Sequence, residues 1–210
     1  MILYLSSQKF GDNYDFLKEW INKNNNKILL IFNALDAKEK DKITNVVKED
    51  IKLLEQIGFE VKVVDLKEYF DKYEELKQLC KNFNTLCVIG GNVFVLRAAM
   101  KYSSFDRFLK EISNDDNYLY MGYSAGSCVL SKKLDILKAV DEPIDFYDKG
   151  EIIYDGIGLI KYTFIPHYKS NYHKAYLIDE IVNTCEKDKI EYKAFCDGEV
   201  IIERTNGGDS

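Results

Sequence analysis

Tyr118-Leu119-Tyr120-Met121-Gly122-Tyr123-Ser124-Ala125-Gly126-Ser127 runs from strand formers into a G-x-S-x-G turn and on into residues that suit a helix start at Ala125. Glycines on both sides of a serine at such a junction permit a sharp, strained turn that lifts the hydroxyl above the end of a sheet. The N–H groups just after it can face a developing oxyanion. Ser124 is therefore a candidate nucleophile, and the strand before it belongs to an α/β sheet.

Strand and helix signals alternate outward from this turn. Ile28-Leu29-Leu30-Ile31-Phe32 is a continuous apolar run, as expected of a strand covered on both faces. From Ala37 to Ile57 the apolar residues Ile43, Val46, Val47, Ile51, Leu54 and Ile57 recur at helical spacing, and Gly58 ends the pattern. Phe59 to Val64 reads as a strand, Leu66 to Leu79 as one helix, and Thr85 to Ile89 as a strand. Gly90-Gly91 turns that strand into a helix through Val93, Leu96, Ala99 and Met100. Beyond the serine, Asp141 to Asp148 is an acidic loop, Tyr162 to Ile165 a strand and Ala175 to Cys185 a helix. Asp197-Gly198 reads as the turn of a final hairpin. Such alternation predicts an α/β fold of three layers, a mostly parallel sheet with helices on both faces. Ligands in that architecture sit at the carboxyl ends of the strands, where Ser124 and Gly90-Gly91 both fall.

The chain's 210 residues suit one domain over 1–204 with a polar, frayed tail at 205–210. A net charge of −6 repels nucleic acid and anionic membranes, which leaves a small molecule or peptide as the expected partner. No apolar run is long enough to span a bilayer, and the opening Met1–Ser6 segment reads as a first strand rather than a signal peptide. The odd number of cysteines, five, without a C-x-x-C pair, suits reduced thiols in the cytoplasm. No cluster has metal-ligand spacing, and Gly90-Gly91 is neither a Walker A loop nor G-x-G-x-x-G, so no metal and no cofactor are expected.

A serine nucleophile needs a base and a group to orient it. Only His167 and His173 are available. His167 follows a strand through Pro166 and is the better placed; His173 falls at a helix start. Asp141, Glu142, Asp145 and Asp148 lie on the intervening loop, and the chemistry alone does not choose among these carboxylates. Gly91 and Ala125 can offer backbone N–H groups to an oxyanion.

Gly90-Gly91-Asn92 with Leu96 and Ala98, then Gly122-Tyr123-Ser124-Ala125-Gly126-Ser127, then Ile165-Pro166-His167-Tyr168, resemble the S51 peptidases. That family of serine hydrolases includes dipeptidase E and cyanophycinase. The resemblance spans most of the chain and implies a fold like the class I glutamine amidotransferases, flavodoxin-like in its layering. It implies Ser124 as nucleophile, His167 as base, and Gly91 and Ala125 as oxyanion donors. The family's Asn-Asp-x-Pro segment corresponds to Val140-Asp141-Glu142-Pro143, which selects Asp141 as orienting acid with Glu142 second. Asn92, Tyr168 and Lys169 are then candidate substrate contacts. The arginine that pairs with an N-terminal aspartate in dipeptidase E has Ile178 at its place, and no arginine lies between Arg107 and Arg204. Lys169 or Lys174 would be a weaker substitute, lacking the guanidinium's fork.

The reading that follows is a serine peptidase or amidase acting on short peptides, without nucleic acid or membrane partners, as a monomer or homodimer. The same residues also fit an esterase or a cyanophycinase-like hydrolase of β-linked peptides. An inactive binding protein on this fold is the third reading.

Overall fold

A computed structural model describes residues 1–171 and 174–205. Six strands form one sheet: β1 (Ile2–Ser6), β2 (Lys27–Ile31), β3 (Glu60–Val64), β4 (Thr85–Val88), β5 (Leu119–Tyr123) and β8 (Val200–Arg204), in the order β3-β2-β4-β5-β1-β8. All neighbours are parallel except β8, which runs antiparallel to β1. The remaining strands, β6 (Thr163–Ile165) and β7 (Tyr192–Ala194), pair parallel in a small second sheet.

The expected three layers follow from period-two alternation in the central strands. In β5, Leu119, Met121 and Tyr123 point to one core and Tyr120 to the other. The first core is closed by α1 (Tyr14–Lys23) and α2 (Lys40–Ile57), which bury Leu17, Trp20 and Leu54. The second lies beneath α3 (Tyr73–Cys80), α4 (Val93–Tyr102), α5 (Phe105–Glu111), α6 (Ala125–Cys128) and α7 (Ala175–Asp188). Gly58, at φ 119, caps α2 and passes the chain into β3.

The helix after Ser124 starts at Ala125 as expected and runs for a single turn. Three local expectations need correction. The helix expected from Leu66 to Leu79 is a 3-10 turn at Leu66–Tyr69 followed by α3, because Asp71 takes a positive φ of 60 and interrupts it. Asp197-Gly198 does not close a hairpin: β7 pairs with β6 while β8 pairs with β1, so the turn links two sheets. The tail is anchored one residue further than expected. Thr205 is buried, its N–H donates to the Met1 carbonyl at 3.0 Å, and its hydroxyl donates to the Ser113 carbonyl. Residues 206–210 of the expected frayed tail lie outside the described residues, as does His173. No helix among the described residues is long and apolar enough to cross a membrane.

Candidate active site

Ser124 occupies φ 49, ψ −118 between β5 and α6. Few L-residues adopt this conformation, and it costs on the order of 1–3 kcal/mol, which the surroundings must offset. The Ser124 N–H donates to the Ser6 carbonyl at 3.2 Å, and the Ser127 hydroxyl donates to the Gly122 carbonyl at 2.8 Å. The Tyr120 hydroxyl donates to the Gly126 carbonyl at 2.6 Å. Gly126 packs so tightly against β4 that a Cβ there would sit 2.1 Å from the Val88 carbonyl oxygen. The second glycine of the motif thus serves close approach, and the first turn of α6 is pressed onto the sheet.

His167 follows β6 and Pro166 at φ 62. Its Nε2 lies 3.2 Å from Ser124 Oγ, and its Nδ1 lies 2.7 Å from Asp197 Oδ1. The backbone around it is held by β6–β7 and its continuation: Phe195 N–H donates to the Ile165 carbonyl, Tyr168 N–H donates to the Phe195 carbonyl, and the Phe164 and Phe195 rings stack at 4.4 Å. Ser7, just past β1, ties two members together. Its hydroxyl accepts from the His167 N–H at 2.7 Å and donates to Asp197 Oδ1 at 3.0 Å.

Asp141 is not the carboxylate against the imidazole; Asp197 is. Asp141 Oδ2 instead accepts from the Val93 N–H at 2.8 Å, at the start of α4. Burial lifts the Asp141 carboxyl from its ordinary 3.8 to about 6, opposed by that N–H and by the charges of Lys174, Lys38 and His167. Glu142 is no substitute either, since its side chain is exposed and its main-chain carbonyl accepts from Asn92 Nδ2 at 2.8 Å.

Ser124, His167, Gly91, Asn92, Asp141 and Glu142 all border one cavity of about 580 Å³. Its walls come from the carboxyl ends of β1, β2, β4 and β5, where this fold class binds ligands. Gly91 stands at φ 153, and a Cβ there would meet the Ala34 carbonyl oxygen at 2.3 Å, so only glycine fits the turn. Among the described residues neither the Gly91 nor the Ala125 N–H donates to a main-chain carbonyl; Ala125, as first residue of a helix, has no acceptor within it.

Asn92 is more structural than expected. Its Oδ1 accepts from Phe94 and Val95 N–H, capping α4, while its Nδ2 holds the 141–142 loop in place. Tyr168 and Lys169 lie outside the cavity lining, with the Lys169 ammonium 5.0 Å from the Tyr168 ring centroid. Lys174 does reach the wall, where its ammonium donates to the Val140 carbonyl.

Behind Tyr123 sits a second charged group that the sequence did not announce. The Asp50 side chain, fully buried in α2, accepts from Lys9 Nζ at 2.8 Å and from the Tyr123 hydroxyl at 2.7 Å. Burial still holds its carboxyl above the ordinary value, with both hydrogen bonds pulling the other way.

A strained serine at a strand-to-turn junction thus lies in reach of an imidazole backed by a carboxylate, on a mostly parallel α/β sheet. The profile of peptidase family S51 matches residues 2–202, and the chain belongs to that family of serine hydrolases; it is a peptidase. Its fold resembles a candidate peptidase E from Listeria monocytogenes EGD-e, 22% identical over 98% of each chain with a TM-score of 0.73. It also resembles a peptidase from an acI-B1 actinobacterium, 16% identical over 98% of this chain and 84% of that one, with a TM-score of 0.65. No curated protein matches the chain.

Proposed function

We propose that this peptidase hydrolyses short peptides with Ser124 as nucleophile, His167 as general base and then acid, and Asp197 as the orienting carboxylate. The observation that carries this reading is the unbroken run of contacts from Ser124 Oγ to His167 Nε2 and from His167 Nδ1 to Asp197. A carboxylate at Nδ1 favours the tautomer with the proton there, so that Nε2 presents its lone pair to the serine proton.

Ser124 Oγ attacks the scissile carbonyl carbon while its proton passes to His167 Nε2. The carbonyl oxygen takes up the charge, and the N–H groups of Gly91 and Ala125 receive it; both residues line the small pocket beside Ser124, which supports this role. The C–N bond then breaks, with the Nε2 proton going to the departing amine. Water repeats the sequence on the acyl-enzyme and returns Ser124 to its free form. The imidazolium formed in each half-reaction is stabilised by Asp197, which stays ionised.

Short substrates are favoured by the cavity's size, which falls in the range of small-ligand sites. The 141–142 loop, tied to α4 through Asn92 and Val93, limits it on one side. The five unpaired cysteines, four of them buried, support a reducing compartment such as the cytoplasm.

The test is a mass-spectrometric scan of a mixed short-peptide library, run in parallel on the wild type and Ser124→Ala. Cleavage by the wild type alone is expected. Equal hydrolysis by a pure Ser124→Ala sample would remove the mechanism.

A further inference from the structure

Asp141 is left over once Asp197 is assigned to the imidazole. It borders the same cavity as Ser124, and one of its oxygens accepts the Val93 N–H. The charges that face it are Lys174, whose ammonium already donates to the Val140 carbonyl, Lys38 and His167. Burial outweighs all three and holds its carboxyl at about 6. An ionised carboxylate so poorly solvated gains from any further cation that can reach it.

Beside it opens a pocket of about 40 Å³ that shares Gly91, Ser124, Val140, Asp141 and His167 with the main cavity. Its remaining wall is apolar: Ala125, Cys128, Leu137, Pro166 and Ile178. Burial pushes the Cys128 thiol well up, so the sulfur adds no charge there. A water needs about 10–15 Å³ of such volume, so this space takes the carbonyl oxygen on its Gly91 and Ala125 side, a methyl-sized group on its other side and no long side chain. It has no cationic wall residue apart from the imidazole, so a carboxylate side chain entering it would be desolvated without a fixed partner.

In a peptide whose first bond is cut, the carbon next to the attacked carbonyl carries both the amino group and the side chain. Both must therefore find their places within a few ångströms of Ser124. We propose that Asp141 and the small apolar pocket together form the acyl-side subsite, selecting peptides whose first residue has a free α-ammonium and a small uncharged side chain. The ammonium lies against the open oxygen of Asp141, and a methyl-sized side chain fills the space before Leu137, Val140 and Ile178. The larger cavity receives the leaving portion. This subsite rests on the serine peptidase reading above.

The experiment compares Ala-Leu, N-acetyl-Ala-Leu, Phe-Leu and Asp-Leu by mass spectrometry, with fluorophosphonate labelling of Ser124 as an independent report on the nucleophile. Ala-Leu should exceed each of the other three in kcat/KM by about 10- to 100-fold, the range of a charge-assisted hydrogen bond or a misfit buried group. Asp141→Asn keeps an acceptor for Val93 and should raise KM for Ala-Leu by about 10- to 100-fold while narrowing its lead over the acetylated peptide. Ile178→Val, a mild change checked by its melting temperature, should shift preference toward larger first residues. Labelled wild type that cuts N-acetyl-Ala-Leu as well as Ala-Leu, prefers Asp-Leu or Phe-Leu, or cuts none of the four overturns the subsite and leaves the nucleophile standing. No labelling and no cleavage overturns the peptidase reading and this inference with it.

Discussion

Replacing Asp141 by asparagine should make the protein more stable at neutral pH. The carboxyl moves from 3.8 in the unfolded chain to about 6 in the fold, mainly through burial, against the pull of Val93 N–H, Lys174, Lys38 and His167. Between those two values the native state holds more protons than the unfolded state, so stability falls as pH rises through that window. A little over two pH units at about 1.4 kcal/mol each gives about 3 kcal/mol of destabilisation, fully present above pH 6 and absent below pH 4. Asparagine has nearly the same shape, keeps an oxygen for the Val93 N–H and never ionises. At pH 7.5 Asp141→Asn should thus gain up to about 3 kcal/mol, or about 6 °C or more in melting temperature for a chain of this size. Near pH 4.5 most of that advantage should be gone. The assay is thermal unfolding of both proteins at half-unit pH steps between 4.5 and 8. A variant less stable than the wild type at pH 7.5, or a difference that does not change across the series, would refute the desolvated-carboxylate account. A gain of stability paired with a loss of substrate affinity is the pattern expected of a binding group.

Asp197→Asn should lower kcat by about 10⁴-fold with the fold intact, since an amide at Nδ1 favours the wrong imidazole tautomer; a loss below tenfold in steady-state kinetics would displace Asp197 from its role. Gly126→Ala drives a methyl to 2.1 Å from the Val88 carbonyl oxygen and should cost about 3 kcal/mol or more, read as a lowered urea midpoint or insolubility. A midpoint equal to wild type would show that the elbow can relax. Lys9→Met leaves the buried Asp50 with only the Tyr123 hydroxyl and should cost about 1–3 kcal/mol in chemical denaturation, discounted because Lys9 is itself 37% exposed. Adding Asp50→Asn should recover part of that loss, and a double variant worse than Lys9→Met would contradict the pairing.

Sheet, layers and the strained turn at Ser124 were legible because each is written locally. The apolar runs of β2 and β4, the helical spacing of α2 and the glycines around Ser124 all act through neighbours in the chain. Asp197 was not legible as a partner of the imidazole. Asp-Gly has a sufficient local meaning as a turn, and nothing nearby says that β8 will leave β7 and pair with β1. The acidic loop carried several carboxylates, and the Val-Asp-Glu-Pro match pointed to one that does not meet the imidazole. What fixed Asp141 elsewhere was the free N–H at the start of α4, a backbone donor with no signature of its own. Ser7 was hidden for the same reason: its hydroxyl matters only once β1 stands between β5 and β8.

That strand order also makes the site an assembly of distant pieces. Asp197 lies three residues ahead of β8, whose residues 200–204 pair antiparallel with residues 2–6 of β1. Contacts between segments so far apart in sequence are entropically late to form. The Ser-His-Asp set proposed above is thus complete only while the outermost strand stays docked, and fraying of that edge should silence it before the sheet itself is lost.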